Sequence, residues 1–180
     1  MSDWPLVQLL TLPTIHTYSH ESVGIQFVSV DEKMTEELST AYPLANRAIY
    51  IPFSMSARRT LRKLFCWNGA AVSGNVDMGI YDHSGVRLQS NGPVAQAGIN
   101  SIQVFNITDT RLTEGMFYMA IWLDNIIGTL FVNAPANVLL VVAAGMHQET
   151  VAGGLPSVAT FARPTSTYVP QMGIASEPPL

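Results

Sequence analysis

Four histidines (His16, His20, His83 and His147) and one cysteine, Cys66, are the side chains of this 180-residue chain best suited to metal or nucleophilic chemistry. His16 and His20 have the i, i+4 spacing that brings two ligands onto one face of a helix. The intervening Thr17-Tyr18-Ser19 is not helical in character, and no HExxH run or Cys/His cluster accompanies them. No histidine stands beside a GxSxG-type nucleophile elbow, and Ser73-Gly74 and Ser84-Gly85 read as turns. Calcium requires about 6–8 oxygen ligands; Asp77, Asp82 and Asp124 are scattered, with no D-x-D-x-D-G loop, and Asp82 reads as a turn former. Glu36 and Glu37 are adjacent and would point apart on a helix, so they make no facing pair for glycoside hydrolysis. Gly153-Gly154 lacks the Lys-Ser/Thr of a phosphate loop. Trp67, Tyr81, Tyr118 and Trp122 suit either a sugar-stacking platform or a core. The expectation is a non-enzymatic chain with no cofactor and no metal.

Composition shapes that expectation. Charged residues are 12% and hydrophobic residues 48%, against about 25% charged in an ordinary soluble domain. A surface so poor in charge suits either coverage by partner subunits, because interface cores are depleted in charge, or a neutral, Thr/Ser/Asn-rich β-sandwich surface that needs no partner. Residues 1–46 carry six acids (Asp3, Glu21, Asp31, Glu32, Glu36, Glu37) and one base, Lys33. Residues 47–63 carry five bases (Arg47, Arg58, Arg59, Arg62, Lys63) and no acid. This asymmetry either steers head-to-tail contacts between copies or lets the two segments pack on each other. The net charge of −4 leaves no basic footprint for nucleic acid. No signal peptide is visible, and no run reaches the roughly 18 apolar residues of a membrane span, so the product is expected in the cytoplasm where it is made. Cys66, in Leu64-Phe65-Cys66-Trp67, reads as a buried core residue.

The elements that would position any site are strands. Val76, Met78 and Ile80 alternate with Asn75, Asp77 and Gly79, the period of a half-buried strand, and Asp82 to Gly85 supplies turn chemistry into a partner strand at 86–89. Further strands are expected at 24–28, 47–53, 60–67, 102–107, 116–123, 127–132, 137–143 and 158–161. Met116–Leu123 is apolar on both faces and should be central and covered on both sides. Pro52 marks an edge or a strand end, and Thr108-Asp109-Thr110 marks a turn. Ser29-Val30-Asp31-Glu32 is a capping box that opens a short helix near 30–40. Strands at this spacing predict an all-β, antiparallel, jelly-roll-like β-sandwich. Its domain spans 46–145, with an N-terminal arm over 1–45 and a C-terminal strand and extended arm over 146–180.

Gly74–Asp82, Ala95–Gln103, Leu112–Ala120, Gly154-Leu155-Pro156 and Tyr168-Val169-Pro170 resemble a family of small bacteriophage virion proteins. The resemblance covers roughly residues 65–175. It implies a structural component of a virion and carries over no catalytic residue. The expected partners are the major capsid protein or tail proteins and further copies of the chain, with no nucleic acid and no membrane. The first expectation is a capsid decoration (cement) protein that bridges neighbouring subunits; the alternatives are a tail or baseplate component, or a carbohydrate- or receptor-binding module. The residues expected at its interfaces are Trp4, Leu6, Leu9 and Leu10 of the N-terminal arm, Arg58, Arg59 and Arg62 of the basic run, and Tyr168 of the C-terminal arm.

Overall fold

The computed structural model describes residues 25–29, 38–135 and 137–176. The chain is all-β and antiparallel, with thirteen strands and one short helix among the described residues. One sheet is ordered β1 (Ile25–Val28), β13 (Met172–Ala175), β4 (Arg59–Trp67) and β8 (Ile102–Leu112). The second runs β11 (His147–Thr150), β3 (Arg47–Met55), β9 (Gly115–Leu123), β5 (Asn75–Asp82) and β6 (Arg87–Ser90), with β7 (Val94–Ala95) also paired to β5. A small third sheet joins β12 (Val169–Pro170), β10 (Thr129–Asn133) and β2 (Leu38–Ala41). We call the first the β4–β8 sheet and the second the β3–β9 sheet.

Alternation builds the core. Leu64 and Cys66 from β4, Phe105 from β8, and Ile174 from β13 meet Ile49, Ile51, Val76, Met78, Ile80, Met119 and Ile121 from the opposite sheet in one buried cluster. Each such residue adds about 1.5–3 kcal/mol by leaving water, which is why the two sheets stack as a sandwich. β9 lies between β3 and β5, and both its faces are buried, as its doubly apolar sequence predicts. Pro52 falls beyond the β11 pairing, which stops at Tyr50, so its missing N–H leaves no gap on that side.

Four expectations are corrected. Val138–Ala143 is an α-helix, α1, not a strand. Asn137 caps it, its side-chain oxygen accepting from the Leu139 N–H at 2.8 Å; this favours helix over a β-branched run that would suit either state. The Thr108-Asp109-Thr110 turn is instead a bulge inside one long strand: Leu61 pairs with Thr110 while Lys63 pairs with Asn106. At the end of the expected 30–40 helix, residues 38–41 form β2; the rest of that helix lies outside the described residues. Of the expected strand at 158–161, only the isolated Val86–Val158 bridge is present.

Candidate interaction surface

The titratable groups gather on the outer face of the β3–β9 sheet, and there they serve the fold. The segment 151–162 lies across this face. Trp122 Nε1 donates to the Val151 carbonyl at 2.8 Å, and the Tyr81 hydroxyl donates to the Pro156 carbonyl at 2.6 Å. Asp77 Oδ2 accepts from the Leu155 N–H at 2.9 Å, and Arg87 Nη1 donates to the Leu155 carbonyl. Glu149 accepts from the Thr160 N–H at 3.1 Å and from the Tyr50 hydroxyl. The Ala159 N–H donates to the Gly85 carbonyl at 2.8 Å. Leu155 of the segment and Ala48, Tyr50, Tyr81, Ala120 and Trp122 beneath it form a second apolar cluster, with Tyr118, Ala159 and Phe161 packed on it. The Tyr50 ring meets Tyr81 edge-on, and Phe161 stacks on His147.

Burial sets the protonation of this layer. It pushes the Tyr50 and Tyr81 hydroxyls well above their ordinary range, and the bond to Glu149 raises Tyr50 further. It raises the Asp77 carboxyl against the lowering pull of the Leu155 amide and the Arg87 guanidinium; Asp77 Oδ1 has no hydrogen-bond partner. Desolvation likewise holds His147 below the usual imidazole value. These groups are spent on holding the 151–162 segment. Tyr81 and Trp122 are buried and Tyr118 half-buried under it, whereas Trp67 stands on the opposite sheet, so the four aromatics do not form one platform.

The outer face of the β4–β8 sheet differs in kind. Leu61, Leu64 and Cys66 all enter the core; the three-residue step from Leu61 to Leu64 breaks strict alternation next to the bulge, and Lys63 does not share the face of Leu61. Phe65 and Trp67 point outward, paired across the sheet with Val104 and Ile102. Phe65 lies over Gly173 of β13, where a Cβ would sit 2.3 Å from the ring and 2.5 Å from the Phe27 carbonyl oxygen; only glycine permits that approach. Ile102 and Val104 remain 45% and 51% exposed. Below this apolar half is a basic rim: Lys63 Nζ donates to Asn106 Oδ1 at 3.2 Å, Arg62 Nε meets Asp109 Oδ2 at 3.3 Å, and Arg111 is exposed.

The start of β8 is held rigidly. Asn68 is fully buried and satisfied, its Nδ2 donating to the Ala97 carbonyl at 2.6 Å and to Gln103 Oε1 at 3.0 Å. Its Oδ1 accepts from Gln96 Nε2 at 2.9 Å, and Gln103 Nε2 donates to the Ala95 carbonyl at 2.9 Å. A buried amide network of this kind is stable only when every member is paired, and it fixes Ile102 and Val104 relative to β4.

Of the interface residues named from sequence, Trp4, Leu6, Leu9 and Leu10 lie outside the described residues, as do His16 and His20. Arg58 is exposed, Arg59 donates to Gln26 Oε1 at 3.2 Å, and Arg62 takes part in the rim. Tyr168 lies within the core: its ring meets Tyr42 edge-on and its hydroxyl donates to the Thr40 carbonyl at 3.2 Å. Ile102 and Val104 were missed because their alternation reads as ordinary strand; what singles them out is β8's place at the end of a sheet. Asp82 accepts from Ser84 and Val86 within its own turn, and burial pushes the Cys66 thiol up to about 12. Among the described residues, no three His, Cys, Asp or Glu side chains cluster closely enough to hold a metal ion, and no helix is long and apolar enough to cross a membrane.

Comparison with protein-family models, with curated proteins and with solved structures finds no match.

Proposed function

We propose that the chain is a non-enzymatic structural protein of a phage particle, most plainly a capsid decoration protein that bridges neighbouring subunits. One observation carries the reading: a half-exposed apolar stripe (Trp67, Ile102, Val104) beside a basic rim on a rigid sheet, in a chain with only 12% charged residues. Apolar patches with polar rims mark interaction sites. The commitment of Asp77, Tyr81, Glu149 and Tyr50 to fastening 151–162 also supports a structural role over a catalytic one. A protein that binds only the assembled lattice stabilises it by mass action. The resemblance of residues 65–175 to small virion proteins supplies the setting.

The test is sedimentation of the purified chain with undecorated phage heads, with separated tails alongside. Co-sedimentation with heads is the expected result. Binding to tails alone moves the protein to the tail, and binding to neither overturns the reading.

A further inference from the structure

We propose that Asn91-Gly92, in the connection between β6 and β7, is a self-modification site: the Asn91 side chain closes on the Gly92 nitrogen, loses ammonia and reopens as aspartate or isoaspartate. The chain has two Asn-Gly steps, Asn68-Gly69 and Asn91-Gly92, and the fold treats them in opposite ways.

Ring closure needs a polarised carbonyl, a nitrogen that can lose its proton, and room. Asn91 Oδ1 accepts from the Met78 N–H at 2.8 Å; a donor already aimed at that oxygen stabilises the charge that grows on it when the carbon is attacked. The Gly92 N–H donates to Ser90 Oγ at 3.1 Å, so the proton to be lost points at an acceptor. The Ser90 hydroxyl and the Gly92 amide lie against the buried Asp77 carboxyl, whose other neighbours are the Arg87 guanidinium and the Leu155 amide. The Leu155 N–H engages Oδ2, which leaves Oδ1 without a hydrogen-bond partner. Burial raises the Asp77 pKa, and a carboxylate of raised pKa is the stronger base. Gly92, at a φ of 71°, has open space where a Cβ would stand, and both residues are half-buried, so water reaches them. Asn68 is locked instead: it is fully buried with both side-chain polar atoms bonded. Its Gly69 N–H is held by the Thr129 carbonyl at 3.0 Å, and a Cβ on Gly69 would meet Ser39 Oγ at 2.2 Å.

Each group then has one role. The Gly92 nitrogen forms a bond to Asn91 Cγ and gives its proton to Ser90 Oγ, which passes its own to Asp77. The Cγ–Nδ2 bond breaks, and Nδ2 takes that proton back and leaves as ammonia. One water opens the cyclic imide at either carbonyl, which leaves aspartate or isoaspartate at position 91. The sum is amide plus water to acid plus ammonia, with no oxidant or reductant. Ser90 touches the reacting amide, and Asp77 acts through it. The product carboxylate stands near Asp77, and isoaspartate lengthens the backbone where the Asn91 N–H meets the Met78 carbonyl at 3.1 Å. Because Leu155 hangs on Asp77, the change loosens the 151–162 segment in one direction only.

The experiment follows the full folded chain in neutral buffer over time by peptide mass mapping. The peptide holding Asn91 should pass from the amide to the acid mass, and the one holding Asn68 should stay as it is. Conversion at Asn91 should run about tenfold faster than in the same chain unfolded in urea, a small share of what general acid–base assistance can supply. An Asn91 as inert as Asn68, or one that converts no faster folded than unfolded, overturns the proposal. Ser90→Ala and Asp77→Asn should each slow the folded chain about tenfold, while Ser90→Thr, which keeps the hydroxyl, should retain the rate. A substitution that merely loosened the turn would speed conversion instead, so an unchanged or faster rate in Ser90→Ala removes the relay. Should Asp77→Asn lower the unfolding midpoint, the Ser90→Ala and Ser90→Thr pair decides alone.

Discussion

The two outer faces of the sandwich are treated in opposite ways. The β3–β9 sheet covers its outer face with its own chain: residues 151–162 bring Leu155 and Phe161 onto Tyr50, Tyr81 and Trp122, and side-chain hydrogen bonds pin the backbone down. The β4–β8 sheet leaves Ile102 and Val104 open beside Trp67 and a basic rim. Among the described residues, one sheet is capped by its own chain and the other keeps half of its outer face exposed. The difference also sorts the titratable groups: acids and tyrosines are buried where the chain closes on itself, and exposed basic side chains line the open face.

Matched substitutions on the two faces can break this contrast. The largest effect is expected from Trp122→Ala. It removes a buried aromatic and the bond to the Val151 carbonyl, costing about 3–5 kcal/mol in urea unfolding; Trp67→Ala, on the open face, should cost less than half as much. Equal losses would erase the distinction. Gly173→Ala comes next, at about 1–3 kcal/mol, because the new methyl collides with the Phe65 ring and the rigid Phe27 carbonyl.

Tyr81→Phe is expected to cost about 1 kcal/mol, read as a shift in the urea midpoint with an unchanged slope. Asp77 sharpens the covered side through pH. Burial raises its folded pKa above the unfolded value, so the folded state binds the proton more tightly. Its contribution is then fully present below the ordinary aspartate range and is lost as pH rises through the raised value. Asp77→Asn should remove that part of the stability-against-pH slope; an unaltered slope would mean the carboxyl is solvated. Val104→Lys should be the mildest for folding, within about 0.5 kcal/mol, while abolishing binding to heads.

Local pattern made part of this legible. The β5–β6 hairpin follows from Val76, Met78 and Ile80 and from the Asp82 turn, and the covering of β9 follows from its apolar faces. The Asn137 cap was also available, yet Val138 to Ala143 is too β-branched for composition to choose helix over strand. The place of β13 between β1 and β4 was not legible, because it depends on pairing residues 172–175 with a strand more than a hundred residues away. For the same reason the Pro-rich 146–176 stretch gave no sign that it would lie on its own sandwich. The place of β8 at the end of its sheet was hidden likewise: the exposure of Ile102 and Val104 follows only from the strand order.

The most direct measurement of the central contrast is amide hydrogen exchange of the full chain, alone and with undecorated phage heads. The Leu155 and Ala159 amides should be protected in both, and those of residues 102–106 should gain protection only when heads are added. Rapid exchange of the 151–162 segment in the free chain, or exchange in 102–106 that ignores the heads, would contradict the account.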